Sequence, residues 1–307
     1  MNQISYKAKH FLVLTAKFLV VGLAFGFIYK KLSDTDWLDW ADFQKTISDN
    51  FTAGSILLIL LLSFLNRFFE ILKWKNLANL LKPVSVLEAV RQVLSALVFA
   101  LFTPNGLGEY GAKALFFPKE KAKNVVFLNF ACNGVQMIIT ILFGVIGLLL
   151  LGNYDWFFGI LTALTLGLLL VFFSREITIK GYSVAKLIEK LNKIPKKIHR
   201  QNTVLGVGRY LAFSHQQYYL FLLLGVDLPY IPLMASIMAV YFLASCLPNF
   251  QFLDFVVKGG VAVYFFGLLG INEWIVMFVI LLMWLLNVVL PVVVGSFFVL
   301  NFKPKWK

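Results

Sequence analysis

The chain has 307 residues, of which 60% are hydrophobic, 16% aromatic and 14% charged, and its mean hydropathy is +0.82. Soluble domains carry about 25% charged residues, so a water-soluble globule is excluded, and disorder, which needs low hydrophobicity, is excluded with it. The net charge of +13 at pH 7 does not gather on a folded soluble face, which argues against a nucleic-acid partner.

In chain order, six stretches have the roughly 20 apolar residues that a spanning helix needs: 11–29, 54–72, 125–151, 156–173, 203–224 and 274–300. The first follows Lys7 and Lys9 but is interrupted by Lys17 and lacks a clean cleavage site, so it reads as a retained anchor rather than a signal peptide. Lys and Arg accumulate on the cytoplasmic side of membrane proteins. Here they gather at the N-terminus, in 73–85 (Lys73, Lys75, Lys82), in 118–124, in 174–202 and in the tail at Lys303, Lys305 and Lys307. The remaining loops carry acids such as Asp34, Asp36, Asp155, Asp227 and Glu273. This asymmetry predicts a protein of a bacterial-type inner (plasma) membrane with both termini in the cytoplasm. Within 174–202, Val184, Leu187, Ile188, Leu191 and Ile194 recur at helical spacing opposite lysines, the pattern of a basic helix lying on an anionic leaflet; a solvated connector is the alternative.

Two further apolar stretches are broken. The first, 86–117, is interrupted by Thr103-Pro104-Asn105-Gly106-Leu107-Gly108-Glu109, and the second, 231–269, by Leu247-Pro248-Asn249. Pro and Gly end helices, and Asn caps the helix that follows. The run 106–117 would make roughly 18 Å of helix, too short for a hydrocarbon core of about 30 Å. The first stretch has lysine-rich flanks and the second acidic ones, so each is expected to enter and leave on one side of the membrane, the two from opposite sides. The local sequences match as well: Glu109 precedes Lys113, and Asp254 precedes Lys258, by four residues, one helical turn. The expected fold is therefore all-α: a polytopic membrane helical bundle with six full spans and two re-entrant or broken helical hairpins in an inverted repeat. The halves cover about 54–151 and 203–300 of a single integral membrane domain, 1–307. A pair of unrelated helix kinks is the alternative.

Charged groups inside apolar segments need a partner or a wet cavity, since each costs about 2.5–3.5 kcal/mol on insertion scales. Lys17, Arg67 and Glu70 are expected to snorkel or to pair near helix ends, and Glu88 is expected to pair with Arg91. Glu109, Lys113, Asp254 and Lys258 lie just beyond the helix breaks, where a transporter of inverted halves places its substrate. Together with Asn105, Gly106, Gly108, Asn249 and Arg209 they form the candidate substrate site. Its excess of base over acid suits a phosphate-bearing head group. Asn129, Asn133, Gln136, His215, Gln216 and Gln217 supply neutral hydrogen-bonding groups. Gly106-Leu107-Gly108-Glu109-Tyr110-Gly111 matches a dinucleotide fingerprint, but an apolar helical run precedes it and 126–134 carries no acid, so a nucleotide site is rejected. Cys132 and Cys246 lie in apolar runs and form neither a metal-ligand spacing nor a disulfide framework.

At Pro104-Asn105-Gly106-Leu107-Gly108-Glu109 with Lys113, and at the second Pro-containing break from Pro248 to Lys258, the chain resembles the lysylphosphatidylglycerol synthase transmembrane-region family, also called flippase-like integral membrane proteins. The second break departs from the family pattern: it lacks glycines until Gly259-Gly260 and carries Asp254 in place of Glu. The resemblance implies a lipid-handling membrane protein that translocates modified or lipid-linked head groups. Synthase activity is not implied, because the longest inner loop, about 29 residues by the spacing of the apolar segments, is too short for an aminoacyl-transferase domain.

The function expected is thus translocation of an anionic or lipid-linked head group, with membrane phospholipid or a polyprenyl-linked lipid as partner and no cofactor. Two alternatives remain open at this stage. One is a membrane-embedded enzyme on a lipid-linked substrate, with Glu109 or Asp254 as base or as ligand of a divalent cation. The other is a non-catalytic homodimer or envelope-assembly partner.

Overall fold

In the computed structural model, residues 40–178, 181–248 and 250–300 are described. The anchor expected at 11–29 with Lys17, the N-terminal and tail lysines and Asn249 lie outside them. Among the described residues the protein contains helices and no strands. They are α1 (Trp40–Asn50), α2 (Ala53–Ala78), α3 (Val86–Leu101), α4 (Gly108–Ala114), α5 (Ala122–Leu150) and α6 (Tyr154–Ser174). There follow α7 (Val184–Asn192), α8 (Lys196–Leu223), α9 (Tyr230–Cys246), α10 (Asp254–Gly267), α11 (Glu273–Trp284) and α12 (Leu290–Leu300). A π turn, Leu285–Val289, joins α11 to α12, so that Glu273–Leu300 runs as one apolar rod.

Among the described residues four helices are long and apolar enough to cross a membrane: Ala53–Ala78, Lys119–Leu150, Tyr154–Ser174 and Glu273–Leu300. The expected span 203–224 lies in α8 but for its last residue, and the helix is long enough but carries Asn202, Arg209, His215, Gln216 and Gln217. The helix starts are written locally. Thr52, Ser85, Ser183 and Asn272 accept hydrogen bonds from the first-turn amides of α2, α3, α7 and α11. Ser85 with Glu88 three residues on has the spacing of a capping box.

Two apolar clusters hold the bundle. One gathers Leu220, Phe221, Leu233, Ile237, Phe265, Phe266 and Val276 from α8 to α11. The other gathers Ile71, Trp74, Ala89, Val93, Phe117, Val125 and Leu128. Along α2, Ile59 belongs to the first cluster and Ile71 to the second, with Asn66, Arg67 and Glu70 between them. Along α5, Val125 to Cys132 belong to the second cluster and Leu148 to the first, with Asn133, Gln136 and Thr140 between. α2 and α5 thus each carry a group of polar residues at mid-length, between the two apolar clusters.

The broken stretches fold back on themselves. After α4, Phe117 joins Val84 and Ala89 in one cluster, Lys82 lies over the Phe117 ring at 5.0 Å, and Lys121 Nζ donates to the Leu81 carbonyl at 2.7 Å. The chain therefore returns to the level at which α3 began. In the second stretch Ile271 joins Val226 and Leu233. Lys73 departs from expectation: it is not a cytoplasmic flank but a helical residue, 1% exposed, whose Nζ donates to Gln136 Oε1 at 3.0 Å. Glu88 pairs with Lys82 rather than with Arg91.

Close packing depends on glycines where helices meet. A Cβ at Gly147 on α5 would stand 2.6 Å from the Ala235 carbonyl oxygen of α9, and one at Gly295 on α12 would run into the Leu94 carbonyl of α3. Small residues at such crossings let backbones approach. Gly147→Val and Gly295→Val should each cost about 1–3 kcal/mol by overpacking. Gly159→Ala on α6, where nothing lies within 4 Å, should be neutral or stabilising by up to about 1 kcal/mol. Reversible unfolding in mixed detergent micelles measures the difference; equal effects at the three positions would contradict the packing described.

Candidate functional site

The two breaks meet. Pro104 and Phe250 form a single antiparallel bridge, so the loops after α3 and α9 touch although nearly 150 residues of sequence, by residue numbering, lie between them. In the first break, Gly106 N–H closes a turn on the Thr103 carbonyl at 3.2 Å. Asn105 (φ 49) and Gly106 (φ 68) both adopt positive φ, a region that Asn and Gly tolerate best. Gly108 is required for space: its amide donates to Thr103 Oγ1 at 2.7 Å, and a Cβ there would run into the Phe99 carbonyl. In the second break, Leu247 is extended (φ −85, ψ 136), as a residue preceding proline must be.

Around this junction lies a cavity of about 440 Å³, within the range of small-molecule sites. Asn105, Gly106, Glu109, Arg209, Asp254 and Lys258 line it, which brings together six of the nine residues expected from sequence. Gly108 faces α3. Asn249 lies outside the described residues. Lys113 is placed behind the cavity rather than in it: it is 1% exposed, its Nζ donates to Glu109 Oε1 at 2.5 Å and Asn129 Oδ1 at 2.7 Å, and it stands 4.5 Å from the Trp74 ring centre. Lys258 differs. Its ammonium reaches Asp254 Oδ2 at 2.5 Å and lies 5.4 Å from the Tyr241 ring centre, yet 29% of its side chain remains exposed.

The opposite wall carries residues that the sequence reading put near helix ends or passed over. Arg67 and Glu70 are not at a helix end; they line the cavity and pair with each other, while Arg209 Nη2 reaches the same Glu70 oxygen at 3.5 Å. Arg209 Nε donates to Asn66 Oδ1 at 3.0 Å, and Asn66 Nδ2 donates to Asn287 Oδ1 at 2.6 Å. Asn287 Nδ2 in turn donates to Gln216 Oε1 at 2.9 Å, and Gln216 Nε2 donates to Ser63 Oγ at 2.6 Å. A continuous chain of hydrogen bonds therefore crosses from α2 through α8 to the π turn. The π turn has an identifiable cause. Pro291 has no N–H to give the Asn287 carbonyl, and that oxygen instead accepts from the Arg67 guanidinium. A lone Asn four residues before a Pro, in a span without charge, was the signal available in the sequence.

In and directly behind the cavity, Arg67, Lys73, Lys113, Arg209 and Lys258 stand against Glu70, Glu109 and Asp254. Two positive charges are in excess. Gln251 Oε1, which belongs to a residue lining the cavity, is buried without a hydrogen-bond partner among the described residues, as is Arg67 Nε. Among the described residues no group of three His, Cys, Asp or Glu could hold a metal ion. Comparison of the chain with family models, with curated proteins and with solved structures finds no match.

The two lysines should separate on substitution. Lys113→Met leaves the Glu109 carboxylate without its buried partner and should cost about 3–5 kcal/mol. Lys258→Met removes a partly exposed pair and should cost about 1 kcal/mol. Detergent-unfolding midpoints of the two variants provide the check, and equal losses would show that the lysines do not differ as the geometry requires.

Proposed function

We propose that the protein translocates a membrane lipid with an anionic head group, which it takes into the cavity between the two breaks. The observation that carries this reading is a cavity at mid-length of α2 and α5 whose lining balances three basic against three acidic groups, with two further cations, Lys73 and Lys113, directly behind it. Arg209 and Lys258 lie at its surface, and the buried donor Arg67 Nε has no hydrogen-bond partner among the described residues. In a bilayer such a cavity is at the depth where an ionised group is most costly, and a phosphate-bearing group would neutralise the excess with charge-assisted hydrogen bonds. The acyl or prenyl chains stay in the apolar phase while the head group crosses. The resemblance to flippase-like membrane proteins points the same way.

An inverted repeat underlies this reading. Its support is the way packing partners exchange between halves. α2 packs along α8; α3 packs on α12 as α9 packs on α5; and α4 folds onto α3 as α10 folds onto α9. Under this exchange each half contributes a span, a re-entrant hairpin and a span, the hairpins enter from opposite sides, and 11–29 and α6 complete six spans. The lysine-rich end of the bundle faces the cytoplasm of a bacterial-type cell, and the basic α7 lies on its inner leaflet. Single cysteines at exposed Leu80 and Leu268, with Cys132 and Cys246 replaced, test it in sealed spheroplasts. A membrane-impermeant thiol reagent added outside should reach the residue at 268 and not that at 80. Labelling of both from one side would remove the inverted topology.

Translocation itself is measured in proteoliposomes of phosphatidylethanolamine and phosphatidylglycerol by the quenching of a fluorescent phosphatidylglycerol. The protein should accelerate exchange between leaflets, and Arg209→Gln or Lys258→Gln should slow it by about ten- to a hundredfold, the loss of one hydrogen bond to a charged group. A rate equal to that of protein-free vesicles, with every anionic lipid tried, would overturn the reading.

A further inference from the structure

The polar cavity has an apolar neighbour. A groove of about 610 Å³ lies between α5, α7 and the start of α8, and Tyr110, Asn133 and Met137 line both it and the polar cavity. At this boundary Asn133 Nδ2 donates to Tyr110 Oη at 3.4 Å. Beyond it the walls include Phe130, Ile138, Leu187, Leu191, Ile194 and Ile198.

Two features identify what such a space can hold. First, its other two polar side chains each make a hydrogen bond within the protein. His199 Nε2 meets the Leu191 carbonyl at 3.0 Å, and Asn202 Oδ1 accepts from Asn76 Nδ2 at 3.2 Å. A surface lined mostly by apolar side chains suits hydrocarbon better than ordered water or a sugar. Second, the groove opens sideways, where Phe130 is 46% and Ile138 60% exposed, and exposed Lys196, Lys197 and Arg200 flank Ile198 and His199 at one end. That is the charge an anionic lipid meets. An amphiphile with its head in the polar cavity has this groove as the adjoining apolar space.

From this continuity we infer that the groove holds a hydrocarbon chain of the same anionic lipid whose head group occupies the cavity, with Tyr110 and Asn133 at the junction between the two. The inference rests on the translocation reading and adds to it the place of the chain.

Photolabelling tests it. The full chain is reconstituted in vesicles of phosphatidylethanolamine and phosphatidylglycerol containing a trace of phosphatidylglycerol with a diazirine in one acyl chain. The labelled residues are then mapped by mass spectrometry. Residues 127–138 and 184–198 should label severalfold more than α6, none of whose residues is buried. A phosphatidylcholine carrying the same diazirine should label the groove less. Gly134→Phe should fill the groove, because a Cβ at Gly134 meets nothing within 4 Å, and should cut groove labelling severalfold while leaving that of α6. Groove labelling no higher than that of α6, equal labelling by the neutral lipid, or crosslinks that place 11–29 or a second copy in the groove would each overturn the inference. The labelling of the unsubstituted chain decides by itself should Gly134→Phe fail to fold. Exchange of fluorescent phosphatidylglycerol in the same vesicles separates the two readings. Selective groove labelling without exchange supports the chain site and overturns translocation, whereas exchange without groove labelling overturns the chain site and leaves translocation standing.

Discussion

A carboxylate shared by two guanidinium groups organises the centre of this bundle. Glu70 pairs with Arg67 and is reached by Arg209 from a second helix, and all three lie between the two apolar clusters. A charge so placed persists only where partners hold it from several sides. That requirement fixes the register of α2 against α8, because Asn66 must meet Arg209 while Gln216 meets Ser63. It also fixes the third element. Asn287 closes the network from the π turn, and its carbonyl satisfies Arg67 because Pro291 cannot use it. Single π turns within helices often mark functional positions. Here the turn converts a backbone oxygen, otherwise spent on the helix, into a ligand for a side chain across the cavity.

The helix breaks and the acid–base pairs beside them were legible in the sequence because their signals are local. Pro104-Asn105-Gly106 can form only a turn, and the spacing of Glu109 and Lys113 places both on one helix face. The amphipathic pattern of 184–194 was equally local and marked the helix α7, but it did not show that Leu187, Leu191 and Ile194 would line a groove against other helices. Which lysine faces the cavity was not legible. That depends on Trp74 and Asn129, brought from other helices to enclose Lys113, and no spacing within 104–113 records them.

The helix ends were the other source of error. Hydropathy draws a span at 54–72 and stops at the first lysine, which puts Arg67 and Glu70 near an end. The helix continues to Ala78 because Lys73 is buried against Gln136 and Trp74 against Gln92, so the charged pair lies in the interior. The same effect hides Arg209. Its helix begins at Lys196, one to two turns before the apolar run, and Arg209 lies correspondingly deeper. A polar residue that finds a tertiary partner leaves a helix intact while removing the hydropathy signal by which spans are drawn.

The matched acid–base pairs therefore do different work despite their shared spacing. Around Lys113 the aromatic face of Trp74, the amide of Asn129 and the carboxylate of Glu109 saturate the ammonium, which leaves Glu109 as the face presented to the cavity. Around Lys258 stand Asp254 and the Tyr241 ring, and the side chain, 29% exposed, lines the cavity. A pair whose cation is sealed holds its backbone break in place. A pair whose cation is partly free can exchange its carboxylate for a bound anion, because the loss of one ion pair is offset by the gain of another at similar distance. Lys113 thus belongs to a fixed wall, with Arg67 and Glu70 paired beside it, and Lys258 belongs to the wall whose cation stays partly exposed.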